Sequence, residues 1–458
     1  MSNTMAINTL DKFLYGKTPN PVHCGRGLAL GEGLVVPEIN FTLPPMAINE
    51  STWDKVRWHY QEMITGVLKR AVELEAPGVL VEFETLPDMT NRPEWGLELT
   101  RLLADAMDEA HEKHGLKSAL RFTPNDVREF VRPPLMRQGK YWESMKTVFA
   151  GAGASGADII SIESTGGKEL CDDALINGDL RKAIFAIGVL GTRDMKFLWD
   201  HIVMECKQQN IIPGGDSACG FANTAMVLAD KKMIPTVFAA VIRAASVPRT
   251  LVAMTAGAVG PSKDCAYEGP FLKALTGIPI SMEGKSAACA HMSPVGNIAM
   301  AVCDCWSNES VQDVQLLSGK APVVSMEQLI YDCRLMNTAA KTEGGARQLR
   351  DWLTESDAPI NAQAYILRPD VVLRISKKIA QSNDPYEQTL LASEAAINEL
   401  RDGIENKKVS VAEREEPWID IMETALEELP RTESALIEEM LAEPDADKFI
   451  PEEYGIEA

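Results

Sequence analysis

A chain of 458 residues, 45% hydrophobic and 24% charged, is long enough for one large α/β barrel with extensions or for two ordinary domains, and its composition gives no sign of general disorder. Its formal charge of −21 argues against nucleic acid as a partner, because phosphate binding needs clustered Lys and Arg. The opening stretch MSNTMAINTLDKFLYGK lacks the basic-then-apolar order of a secretory signal, and the longest apolar region, residues 237–259, is broken by Arg243, Pro248 and Arg249, so no export signal and no membrane span are expected.

Residues 1–76 read as an N-terminal extension, rich in Pro and Gly and ending in an amphipathic helix from Thr52 to Leu74. From residue 77 short apolar runs alternate with longer amphipathic ones, the pattern of parallel strands separated by helices. The predicted strands are Val79 to Glu84, Ser118 to Phe122, Ile159 to Glu163, Ile184 to Val189, Ile211 to Gly214, Leu251 to Met254, Ile278 to Met282 and Val323 to Met326. Eight is the number that closes a (β/α)₈ barrel, the expected fold for residues 77–335. Between the strands lie helices such as Trp95 to Ala110, which follows Pro93, a good first-turn residue. Residues 336–458 read as helical, with helices at Asp384 to Leu400 and Glu413 to Leu429. They end in an acidic tail whose simplest reading is a solvated face: from Arg401 onward there are 18 acidic and 6 basic residues.

Nine cysteines without compact spacing fit a reducing cytoplasm, with most thiols buried as small hydrophobes. Three loops nevertheless put a metal-ligand side chain just past a predicted strand: Glu163 in IISIESTGGKE, Cys219 in IIPGGDSACGFANTA and Cys265 in LVAMTAGAVGPSKDCAYE. Barrel active sites are built from such loops on the carboxyl-terminal face, so the three side chains can meet. Two thiolates and a carboxylate suit zinc, whose catalytic sites use three protein ligands and leave a fourth position open. The bland alternative is a pair of buried cysteines and a salt-bridged glutamate.

At these loops the chain resembles a known family, the zinc-containing subunit of methanol:corrinoid methyltransferases. The resemblance runs through nearly the whole chain and is densest in PEINF, SIESTGGKE, GDSAC with ANTAM, TLVAMTAGAVGPSKDCAYE, MEGKSAACAH and CDCWSNESV. It implies a (β/α)₈ barrel, zinc held by Glu163, Cys219 and Cys265, methyl transfer from methanol to Co(I) of a corrinoid carried on a partner protein, and a homodimer carrying two corrinoid subunits. No D-x-H-x-x-G string is present to hold a corrinoid in this chain. Two rival readings stay open: a zinc barrel acting on a thiol, amine or aromatic ether, and a non-catalytic scaffold that docks the corrinoid protein.

Hydroxide is a poor leaving group, so methanol cleavage asks for a Lewis acid and for a group to protonate the departing oxygen. By position Glu82, Glu84, Asp216 and Asp264 are available, but a structural carboxylate is the simpler reading of each and none is assigned. Cys303 and Cys305, if on a helix over Asn297 to Asp304, would face different ways and share no metal. Cys289 and His291 could face one way on a strand, which leaves His291 as a minor candidate for metal or substrate contact. His23, His59, His111, His114 and His201 show no ligand spacing.

Overall fold

The computed structural model describes residues 5–443 and 447–457. A hairpin, β1 (Lys17–His23) and β2 (Ala29–Glu32), precedes seven parallel strands: β3 (Val36–Thr42), β4 (Val79–Glu84), β5 (Ser118–Thr123), β6 (Ile159–Ile162), β7 (Ile212–Asp216), β8 (Ser281–Glu283) and β9 (Cys305–Val311). Their order in the sheet is β7-β6-β5-β4-β3-β9-β8. The gap between the two edges is spanned by residues 259–262. Val259 and Gly260 donate to the carbonyls of Pro213 and Gly214 at 2.8 Å, while Ser262 donates to Pro279 at 3.2 Å and bridges Ile280 in parallel. This short irregular rung is the eighth strand position, and it closes an α/β barrel whose strands follow chain order.

Four of the eight predicted strands stand at β4 to β7, and Ile278 to Met282 overlaps β8. The other three are corrected. Ile184 to Val189 is helical, within Leu180–Phe185 and the wide turn Ala186–Gly191; Leu251 to Met254 lies in the helix Val247–Ala256; Val323 to Met326 lies in the helix Ala321–Ala340. The first two are buried on every side, and a short run that is apolar all round carries no period to separate helix from strand. The strands they displaced are β3, the 259–262 rung and β9. β3 falls in the stretch read as extension and contains Pro37, while β9 is mostly polar.

Alternation along the strands explains that polarity. On β4, Val79, Val81 and Phe83 face the surrounding helices, whereas Leu80, Glu82 and Glu84 point into the barrel. Three interior layers result. The lowest is apolar and packs Val36, Leu80, Ala119, Ile159 and Cys305 against Leu28 and Leu30 of the hairpin region. The middle one is ionic: Arg121 pairs with Glu38 at 2.8 Å and reaches across to Ser161 and to the carbonyls of Pro261 and Ser262, and Ser281 donates to Glu38. The upper layer opens on the carboxyl-terminal mouth.

The carboxyl-terminal region is helical, including Pro385–Glu405 and Pro417–Glu427. Its last described residues do not form a free acidic face. Phe449, Glu453, Tyr454 and Ile456 are buried, and Glu453 accepts hydrogen bonds from the Arg137 amide and Gln138. The stretch Thr236–Ala256 is long and apolar enough to cross a membrane, yet its most apolar 18-residue window is buried in the fold, and the stretch forms two successive helices.

Candidate metal centre

Glu163 immediately follows β6, Cys219 follows β7 by three residues, and Cys265 follows the 259–262 rung. One ligand atom from each lies within 4.8 Å of the other two, and the Cys265 Sγ is 2.9 Å from Glu163 Oε1. A tetrahedral ion with bonds of about 2.0–2.3 Å separates its ligands by roughly 3.3–3.8 Å, so small side-chain adjustments suffice to seat one. Burial pushes Cys265 well above the ordinary thiol range. Cys219 is drawn down by its contact with Cys265, but burial and nearby carboxylates leave it raised to about 12. Only a cation strong enough to displace their protons would engage both as thiolates.

The backbone behind Glu163 is fixed from three directions. Ser164 donates its hydroxyl to Asp216 at 2.8 Å and accepts from Arg249 at 2.7 Å, while Asp216 also accepts from Trp199 at 2.9 Å. Thr165 donates its amide and hydroxyl to Asp126, which is ion-paired with Arg128 at 2.7 Å; Arg128 pairs in turn with Asp194 at 2.8 Å. Gly167 has φ +86°, and a Cβ there would stand 2.4 Å from the Ala186 carbonyl. Its amide donates to the Tyr454 hydroxyl at 3.1 Å. The final segment of the chain therefore helps hold a loop of the site.

Lys263, buried two residues before Cys265, places Nζ 3.2 Å from Glu163, 3.1 Å from Glu82 and 3.0 Å from Asp264, with Glu84 at 3.9 Å. Glu163 is thus salt-bridged, as the bland alternative supposed, and both thiols converge beside it. Lys263 was not singled out from sequence; the signal available was the alternation of acids in VEFE, which demands a buried cation.

A cavity of about 230 Å³ lies over the centre, lined by Glu84, Asp264, Glu283, His291 and Glu309 together with Glu163, Lys263 and the two cysteines. A second, more open cleft of about 390 Å³ shares Glu163 and Cys219 and runs past Asn125, Glu129 and Lys168. Glu84 and Asp264 therefore face the centre. Glu82 sits below it, accepting from Thr123 at 2.6 Å, and Asp216 serves the loop. Cys289 is exposed on the helix Lys285–Ala290, with His291 capping that helix; the strand expected for the pair is corrected. The helix supposed over Asn297 to Asp304 is only the short turn Ile298–Ala301. Cys305 opens β9, and Cys303 and Cys305 pack in separate parts of the core, so they share no site.

An α/β barrel with two sulfurs and a carboxylate converging at its carboxyl-terminal mouth defines a barrel enzyme with a thiol-rich candidate metal centre. Comparison narrows the class. The model of the family "methanol-cobalamin methyltransferase B subunit" matches residues 1–455. The methanol–corrinoid protein co-methyltransferase of Methanosarcina barkeri (strain Fusaro / DSM 804) is 37% identical over 461 residues, covering 99% of this chain and 98% of that protein. The crystal structure of the methanol:cobalamin methyltransferase complex MtaBC from Methanosarcina barkeri contains a chain that superposes with a TM-score of 0.95 at 35% identity, 99% of each chain being covered. The chain belongs to the methanol-cobalamin methyltransferase B subunit family.

Proposed function

We propose that this chain moves the methyl group of methanol to Co(I) of a corrinoid carried on a separate protein, using zinc held by Glu163, Cys219 and Cys265. The observation that carries the reading is the meeting of two sulfurs and one carboxylate oxygen within 4.8 Å, on three loops distant in sequence, in a member of this family. Zinc there would supply Lewis acidity to the alcohol oxygen as negative charge develops on it, and an electron-rich ligand set of this kind favours a strong external nucleophile over hydroxide formation.

The protein's own part is to hold and to shape. Asp216, Arg249 and Asp126 fix the Glu163 loop, and Lys263 offsets the carboxylates crowded around it. The cavity over the centre is small and mostly polar, which favours a small alcohol over an aromatic ether. The adjoining open cleft gives a larger, partner-held acceptor a way in. A dimer of this chain carrying two corrinoid subunits, in the cytoplasm, is the assembly that goes with this reading.

Purified chain mixed with zinc, methanol and reduced cobalamin should form methylcobalamin, followed by absorbance. Cys219→Ala and Cys265→Ala should lose both zinc and transfer. A Cys219→Ala protein with full metal and full activity would exclude the proposal, and stable complex formation without turnover would favour the scaffold reading.

A further inference from the structure

Methanol demethylation consumes a proton. The C–O bond breaks with its electron pair left on oxygen, the carbon accepts the electron pair of Co(I), and the oxygen must take up H⁺ to depart as water. This rests on the methanol reading above. Given that reading, a proton donor has to face the same cavity as Cys219 and Cys265. We propose that His291, held by Glu283, is that donor.

The other ionisable groups lining the cavity are mostly committed. Lys263 is enclosed by Glu82, Glu163 and Asp264. Glu84 accepts from Asn40 at 3.1 Å, and the Tyr267 hydroxyl, beside the cavity, already donates to Glu283 at 3.0 Å. Glu309 lies at the exposed lip of the site. His291 differs from all of these. Its Nδ1 is 3.1 Å from Glu283 Oε2, and its Nε2 has no hydrogen-bond partner among the described residues. Glu283, on β8, is anchored by Tyr267 as well as by the imidazole, so one carboxylate fixes both the orientation of the ring and the nitrogen left over for substrate.

Charge favours the loaded form. The groups facing the ring are Glu283 from β8, Glu309 from β9, and Asp264 with Lys263 from the loop before Cys265. The Glu283 hydrogen bond, partly opposed by burial and helped by the other acids, raises His291 to about 9, so the imidazolium predominates at neutral pH. The side chain is 30% exposed, which lets it be reprotonated from solvent after each turnover. His291 is not among the three residues whose ligand atoms cluster, so donating a proton does not compete with holding a metal.

The test uses the full chain with zinc, reduced cobalamin and methanol across pH 6–10, with zinc content measured in parallel. His291→Gln and His291→Ala should keep one zinc per chain, lose about 100-fold in kcat, and lack the fall in rate expected of wild type above a midpoint near 9. Free imidazole should partly restore His291→Ala. Independently of activity, the ¹³C-labelled His291 resonance should titrate near 9 in wild type and near the ordinary 6.5 or so in Glu283→Gln. Wild type that forms no methylated corrinoid overturns the methanol reading and this one together. A His291→Gln protein within threefold of wild type, zinc loss in that variant, or an alkaline fall in rate that persists in it overturns His291 alone.

Discussion

Glu163 reaches the cavity because the chain behind it turns through Gly166 and Gly167, and neither position has room for a side chain. A Cβ at Gly166 would lie 2.3 Å from that of Asp194. Gly167→Ala adds the strain of a left-handed residue to a clash with backbone and should cost about 1–3 kcal/mol, read as a lower denaturation midpoint together with weaker zinc retention. Asp126→Asn removes one member of a buried ionic cluster and should cost roughly 3 kcal/mol at neutral pH. Its pH dependence has a definite sign. Burial alone would raise Asp126, but Arg128 and the hydrogen bonds from Arg128 and Thr165 hold it below its ordinary 3.8. Its stabilisation is therefore complete above that value and is lost as pH falls through the depressed one. Denaturant melts of wild type and variant should differ by a constant amount from pH 7 to about pH 4 and converge below it.

Among the elements, the last described segment makes a contact that its acidic composition conceals. Tyr454→Phe deletes the acceptor for the Gly167 amide and should lower stability by about 1 kcal/mol, with faster hydrogen exchange at Gly167; unchanged exchange there would separate the segment from the site. The tail read as solvated because carboxylates dominate its letters, while its anchoring residues, Phe449, Tyr454 and Ile456, are few and scattered. Strands β4 to β7 were legible since each joins an apolar outer face to a turn signal. β3 and β9 were not: their inward residues, such as Glu38, Asn40, Ser307 and Glu309, serve the ionic layer and the site, so they imitate loop. In the opposite direction, AIFAIGVLG and LVAM imitate strands because they are helices enclosed by protein on all sides.

For the molecule as a whole, barrel closure is what turns three separated letters into one site. The count of eight could be reached from sequence even with three strands misplaced, and Glu163, Cys219 and Cys265 could be picked out because metal ligands after strand ends must converge on one face of a barrel. The ionic stack beneath them was not visible, since Arg121 with Glu38, and Lys263 with Glu82, become partners only across the closed interior. Zinc K-edge X-ray absorption on the purified wild-type chain addresses the proposed centre directly. Two sulfur neighbours at about 2.3 Å with one or two oxygen neighbours near 2.0–2.2 Å are expected. A first shell without sulfur, or one dominated by imidazole nitrogen, would contradict the assignment of Glu163, Cys219 and Cys265 as the ligands.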